Sequence, residues 1–419
     1  VTLAIKNDGI RQMKKLYIHA GFDKCGSSSI QTFLSRQGQF KCKNGDSLVY
    51  AAFLRERIGY GKELVKLSSH NVYGYRDSLP LNSFKTSPEE HINAVGDQLL
   101  SLLQSHHVVL SRESWNYEFD AWSTISFFNK HQIEVTLIFY IRPPVTWMNS
   151  AWWQWGAWSE VELDIWLDQV IKAVNYVQRI KAFSSLSWIK AIHVRLLDTN
   201  LLDDFSNLLE LDLKTEQDRQ PVANKSLSNG VLRLFQTHRR LRPSPHNSAI
   251  DFVLERHLKI GGKADWVLNA AHIKKIIEQT RDSNLELIDF IDEDCKAKFL
   301  ADSRYWDAAA FGGIPVHAAT GIKPSYEELE EIALAGIDAV MGLAIEQAKE
   351  NAKAKPLFDQ FIVWRDLALY VENTDIELAF KLLQQADKLC PGRAPIQKKL
   401  NQYETQLNKL KKNAGTDKP

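Results

Sequence analysis

A lysine, a glycine and three consecutive hydroxyl side chains stand together at Lys24, Gly26, Ser27, Ser28 and Ser29, inside the stretch "YIHAGFDKCGSSSIQTFL" (17–34). The chemistry these residue types suit is the holding of a phosphate-sized anion. The preceding run "KKLYIHAG" predicts a buried strand, the small residues a tight loop, and "SSSIQTFL" the first turns of a helix. A helix N-terminus leaves N–H groups unpaired and carries a partial positive charge. Gly26 and the serines let an anion approach closely, and Lys24 adds a full charge. A small-residue turn before a helix is also an ordinary structural turn, so the loop alone does not decide the matter.

The type of anion can be narrowed. An NTPase P-loop has its Lys directly after the last Gly, to reach the terminal phosphates, followed by a Ser or Thr for magnesium. Gly21 and Gly26 have that separation, but Lys24 lies inside the loop and Ser27 occupies the lysine position. Neither apolar run "VVLS" (108–111) nor "TLIFYI" (136–141) ends in an acidic residue that would complete a metal site. A magnesium nucleotide is therefore disfavoured. No metal is expected elsewhere either, because Cys25, Cys42, Cys295 and Cys390 lack C-x-x-C spacing and a matching histidine cluster.

The elements that must position this loop follow from periodicity. "SPEEHINAVGDQLLSLLQ" (87–104) is helical with a Ser-x-x-Glu capping pattern, and "HHVVLS" (106–111) is strand-like. "IEVTLIFYIR" (133–142) reads as a fully buried strand that stops at Pro143-Pro144, with "VTWMNSAWWQW" (145–155) as the helix beyond it. "WIKAIHVRLL" (188–197) and "LLDDFSNLLEL" (201–211) repeat the unit. Strands alternating with helices predict an α/β fold with a parallel sheet flanked by helices, and ligands beyond the strands' carboxyl ends. From about residue 325 the chain becomes wholly helical. The expected division is an α/β domain over 1–324, a helical region over 325–412 and a disordered tail over 413–419. Within the helical region Trp364, Leu367, Ala368, Ala379, Leu383, Ala386 and Pro391 fall close to a tetratricopeptide-like repeat, in one visible copy. It reads as helix-pair packing, with partner binding as the alternative.

Composition sets limits on partners. The 52 Lys and Arg residues nearly balance 51 Asp and Glu, so no global field points to nucleic acid or an anionic membrane, and any anion site is local. No stretch approaches the roughly 20 apolar residues of a membrane span, and the N-terminus lacks a signal-peptide core. Free thiols and these absences give a cytoplasmic expectation; the start at Val1 rather than Met leaves room for a removed anchor.

The loop resembles the 5′-phosphosulfate loop of PAPS-dependent sulfotransferases, whose pattern is roughly H-I-G-x-x-K-T-G-T-T-S, and most of all the bacterial and carbohydrate-acting branch. That family's second motif is an Arg ending a strand, then a proline, then a Ser eight residues after the Arg. Arg142, Pro143 and Ser150 stand at those positions. An Arg can grip a phosphate bidentately, and Ser150 lies about two helical turns further on. "AIHVRLLDTNLLDDFSNLLEL" and "NKSLSNGVLRLF" continue the similarity, which covers roughly residues 15 to 300. The sequon at Asn224 is then a cofactor loop, with Lys225, rather than a glycan site. Cys25 replaces the usual Thr, and its contact is expected from the backbone N–H.

The resemblance implies in-line transfer of a sulfuryl group from PAPS, with PAP as product and no metal, to a hydroxyl or amine of an acceptor such as a glycan. Lys24 would neutralise the leaving phosphate oxygen, and Lys24, Cys25, Gly26, Ser27, Ser28 and Ser29 would fix the phosphosulfate. Arg142 and Ser150 would hold the 3′-phosphate, and Asn224 and Lys225 would add donors. The general base is expected at Glu113, in "LSRESWN" at a strand end, with His70 as second choice. Glu113 could instead form a structural ion pair with Arg112 or Arg142. His19 is expected to orient backbone, and His106 and His107 to mark a solvated strand end. Six of the twelve tryptophans, Trp147, Trp152, Trp153, Trp155, Trp158 and Trp166, follow Arg142 closely; they read as core, with a sugar-stacking cleft as the alternative. Two other functions compete: an NTP-dependent P-loop kinase, and a non-catalytic helical scaffold with a degenerate nucleotide domain.

Overall fold

The computed structural model describes residues 14–84, 87–125, 127–198, 200–213, 226–258, 260–262 and 264–414. Seven strands form one sheet: β1 (Leu16–Ala20), β2 (Gln39–Lys41), β3 (Ser47–Phe53), β4 (Ile58–Tyr60), β5 (His107–Arg112), β6 (Val135–Ile141) and β7 (Ile189–Leu196). Their order is β2-β3-β5-β1-β6-β7, with β4 bonded to β3. β3, β5, β1, β6 and β7 run parallel, and the short β2 and β4 pair antiparallel with β3. β1 is buried along its whole length, and β5 and β6 nearly so, as expected where helices cover a parallel sheet.

Because β1, β5, β6 and β7 are parallel, the segments following Ala20, Arg112, Ile141 and Leu196 emerge at one edge. That edge carries the loop before the helix Ser27–Gln37, Glu113 directly beyond β5, and Arg142 directly beyond β6. Pro144 opens the helix Pro144–Gln154, where its missing N–H costs nothing. β2, β3 and β4 have no counterpart among the sequence expectations; two of them are only three residues long, too short to show alternation.

The chain divides into two compact units, Val1–Ala333 and Leu334–Pro419. The boundary falls inside the helix Tyr326–Val371 rather than before it. Within the first unit, a Cβ placed at Gly230 would sit 2.8 Å from Glu328 Cβ, and Ile332 packs on the main core, so the start of that helix belongs to the α/β unit. In the second unit the helices Ile376–Leu389 and Ala394–Ala414 join a small core of Phe361, Ala368, Ala379, Leu383, Ala386, Ile396 and Tyr403. Of the repeat-like positions, Ala368, Ala379, Leu383 and Ala386 are thus buried, whereas Trp364 and Leu367 are exposed. The last helix runs to Ala414, and the remainder of the expected tail lies outside the described residues. Among the described residues no helix is long and apolar enough to cross a membrane.

Candidate functional site

The loop after β1 is built by two left-handed residues, Lys24 (φ +58°) and Gly26 (φ +91°), which turn the chain into the helix Ser27–Gln37. Gly26 is required there by its φ and by packing: a Cβ would collide with the side chain of Leu201 and lie 3.0 Å from Leu197. The glycine thus serves the loop's seat on the protein. Cys25 is fully buried, its Sγ 3.9 Å from the Tyr176 hydroxyl, and burial pushes its thiol up to about 12. Its N–H donates to the Phe22 carbonyl at 3.2 Å, so the backbone contact expected from Cys25 is spent inside the turn. The buried Ser27 hydroxyl donates to the same carbonyl at 3.3 Å, and the Ser29 N–H donates to Gly26 at 3.0 Å. The N–H groups of Ser27 and Ser28 open the helix, where no intrahelical acceptor reaches them.

The loop is pinned from three sides. The indole of Trp147 donates to the Asp23 carbonyl at 2.6 Å, Asn116 donates to the Gly21 carbonyl at 2.6 Å, and the Tyr117 hydroxyl donates to the Asp23 carboxylate at 2.5 Å. Arg179 lies 4.2 Å above the Tyr117 ring.

A cavity of about 350 Å³ opens beside this loop. Lys24, Ser28, Glu113, Ser150 and Gln154 are among the residues that line it. Glu113 Oε1 accepts the Lys24 N–H at 3.3 Å, and Lys24 Nζ donates to Gln154 Oε1 at 3.3 Å. Burial, and then the charge of Asp23, push the Glu113 carboxyl up to about 7; the Lys24 ammonium pulls against that shift. Burial lowers the Lys24 ammonium, and Glu113 opposes it. The structural ion pair considered for Glu113 is not formed. Arg112 is engaged by Asp77 at 2.9 Å, Ser114 at 2.9 Å and the Ser78 carbonyl; Arg142 donates to Thr146 Oγ1 at 3.1 Å and to the Lys24 carbonyl at 3.4 Å. One expectation changes: an acidic residue does follow a central strand, since Glu113 stands immediately after β5 and beside the loop.

Ser150 lines the cavity, while its neighbour Asn149 turns away to bond the Asp265 carbonyl at 3.1 Å and the Val267 N–H at 2.9 Å. Arg142 sits beneath the loop, half-buried, its guanidinium lowered by burial. Asn224 and Lys225 lie outside the described residues.

The histidines separate cleanly. His70 is exposed, with Nδ1 2.8 Å from the Lys66 carbonyl at the end of its helix. His19 is fully buried, its Nδ1 2.8 Å from Ser111 Oγ, and burial drives its protonation point down to about 3, which keeps it neutral. His107 is not at a solvated end: it is buried between the Lys15 N–H at 3.0 Å and Asp46 at 3.1 Å. The tryptophans divide as well. Trp147, Trp152, Trp153, Trp158 and Trp166 are core, Trp153 also lining the cavity, and the half-buried Trp155 lines it as well.

Sequence reasoning missed the part of the cavity lining that the helix Ala249–Leu258 provides through Asp251, Phe252 and Glu255, with Arg242 before it. Only tertiary packing brings that helix to the loop, and no spacing signal marks it. Among the described residues no group of three or more His, Cys, Asp or Glu could hold a metal ion. No protein-family model, curated protein or solved structure matches this chain.

Proposed function

We propose that this protein is a P-loop-type sulfotransferase, moving a sulfuryl group from PAPS to a hydroxyl or amine of an acceptor, in the first instance a carbohydrate. The observation that carries the reading is the meeting of Lys24 and Glu113 in one cavity, with the carboxyl poised near neutrality and bound to no arginine. A cavity of about 350 Å³ falls in the range of small-molecule sites. Lys24, the Ser28 hydroxyl and the first-turn N–H groups of Ser27 and Ser28 suit a phosphosulfate; Ser150 suits the 3′-phosphate, joined by Arg142 once it releases the Lys24 carbonyl. PAPS, when bound, supplies the sulfuryl group and its phosphate leaving group. Glu113 takes the acceptor's proton as the acceptor oxygen bonds sulfur and the bridging S–O bond breaks. Lys24 meets the charge that collects on the phosphate oxygen, after giving up Gln154.

The four cysteines are unpaired, which suits a reducing compartment such as the cytoplasm. The C-terminal helices are read as a tetratricopeptide-like helix pair, with binding of a protein partner as the alternative role.

One observation favours the kinase reading: Ser28 and Glu113 line the same cavity and could share a magnesium ion. Against it, the position of the P-loop lysine is held by Ser27, whose hydroxyl is turned into the protein. Calorimetry with PAP and with ADP, each with and without magnesium, separates the two. PAP is expected to bind at about micromolar affinity or better without metal. Equal binding of ADP, or a magnesium requirement, overturns the sulfotransferase reading in favour of the kinase.

A further inference from the structure

Two helices carry polar and charged side chains past the cavity described so far. On the helix Ser27–Gln37, Ser28, Thr32 and Arg36 recur at every fourth position and so share one face. Ser28 lines the cavity beside the anion loop, whereas Thr32 and Arg36 line a second cavity of about 430 Å³. The helix Ala249–Leu258 spans both in the same way: Asp251 lines the first, Arg256 the second, and Phe252 and Glu255 line both. Tyr73, edge-on to Phe252 at 4.9 Å, also lines both, so the two cavities adjoin.

The second cavity contains two guanidinium groups. Arg256 donates through Nη2 to the Val72 carbonyl at 2.9 Å, and that nitrogen lies 3.3 Å from where a Cβ would stand on Gly74, whose φ is +74°. The turn from Asn71 to Gly74, closed by a 2.9 Å backbone bond, thus seats Arg256 and leaves its other N–H groups open. The Arg36 guanidinium has no partner among the described residues. Such groups suit a carboxylate or sulfate, which a guanidinium meets with two parallel N–H donors.

The charges along the two cavities differ. In the first, Lys24 and Arg242 stand against Glu113, Asp251 and Glu255, and Arg242 is already paired with Asp251 at 2.8 Å. In the second, Arg36 and Arg256 stand against Glu255 alone. An anionic group of a ligand is therefore favoured at the Arg36 end, away from the carboxylates around Lys24. Ser28 and Arg36 are eight residues apart, about 12 Å along the helix axis, so one monosaccharide does not reach both. At the junction stand the rings of Tyr73 and Phe252, which suit the apolar face of a sugar better than an acidic peptide.

We propose that the second cavity is an anion subsite for an oligosaccharide lying across both cavities. Arg36 and Arg256 hold a carboxylate or sulfate on a sugar at least one unit removed from the one beside Lys24 and Glu113. The proposal rests on the sulfuryl-transfer reading only in calling that oligosaccharide the acceptor; the subsite itself stands or falls separately.

Calorimetry at fixed ionic strength tests it, with tetrasaccharides of hyaluronan, heparin and chitin, and with tetraglutamate. The hyaluronan or the heparin tetrasaccharide, which carry carboxylates or sulfates, is expected to bind at least about tenfold tighter than the uncharged chitin tetrasaccharide or tetraglutamate. Arg36→Gln with Arg256→Gln changes two exposed side chains. This variant is expected to keep the melting temperature, to hold PAP affinity within about threefold, and to lose the anionic tetrasaccharide by about tenfold or more. Lys41→Gln with Lys130→Gln removes the same charge from exposed positions elsewhere and is expected to leave that affinity unchanged. Four results overturn the proposal: no binding of either anionic tetrasaccharide, binding of the chitin tetrasaccharide or tetraglutamate as tight as theirs, undiminished binding in the arginine variant, or an equal loss in the lysine variant. A protein that holds the tetrasaccharide through the two arginines but never binds PAP leaves the subsite standing and overturns the sulfotransferase reading instead.

Discussion

Glu113 is the residue at which the proposed chemistry and the stability of the fold make opposite demands. Its carboxyl is raised from the ordinary 4.5 to about 7, so the folded protein holds that proton more tightly than the unfolded chain does. The associated stability is full below about pH 4.5 and is lost as pH rises through about 7. Glu113→Gln keeps an oxygen for the Lys24 N–H but carries no charge to bury. Thermal unfolding is therefore expected to show the variant more stable than wild type at pH 8, by roughly 1–3 kcal/mol, with no gain near pH 4. Sulfuryl transfer by the same variant is expected to fall by about 10² or more, with PAP affinity retained. A variant that melts lower at pH 8 would instead identify Glu113 as a structural anchor of the loop.

At the scale of elements, the loop depends on the helix that begins it and on what lies behind it. Gly26→Ala places a methyl group against Leu201 at a φ of +91°, so it combines a clash with backbone strain. A loss of about 2–4 kcal/mol is expected in denaturant unfolding, together with weakened PAP binding, because the strain sits where the first-turn N–H groups are aimed. The same position shows where sequence reading reaches its limit. A glycine before a serine run suggests a ligand's approach, whereas the need to fit Leu201, far along the chain, is visible only after folding. β1, β5 and β6 were legible because strands buried by covering helices become continuous apolar runs. β2 and β4 are too short for any period to emerge. Glu113 could be found because strand ends in a parallel sheet share an edge. Asp251 could not, because an aspartate on an amphipathic helix carries no mark of facing a cavity.

At the scale of the molecule, the division at Ala333 predicts how the chain tolerates shortening. Protein ending at residue 333 keeps Glu328 against Gly230 and Ile332 on the core, and is expected to bind PAP as the full chain does. Protein ending at residue 324 loses that cover, exposes apolar surface, and is expected to melt several degrees lower or to aggregate. Equal melting temperatures for the two would show that the helix start contributes nothing to the α/β unit. A further property of the whole follows from Gln154. Its side-chain oxygen receives Lys24 Nζ and its backbone carbonyl receives Arg242, so a single residue is bonded to two cations that line the cavity. Any free energy passed between Lys24 and Arg242 through Gln154 acts equally in both directions, so an occupant that shifted Arg242 by drawing on Lys24 would have its own affinity shifted by the same factor when Arg242 is moved.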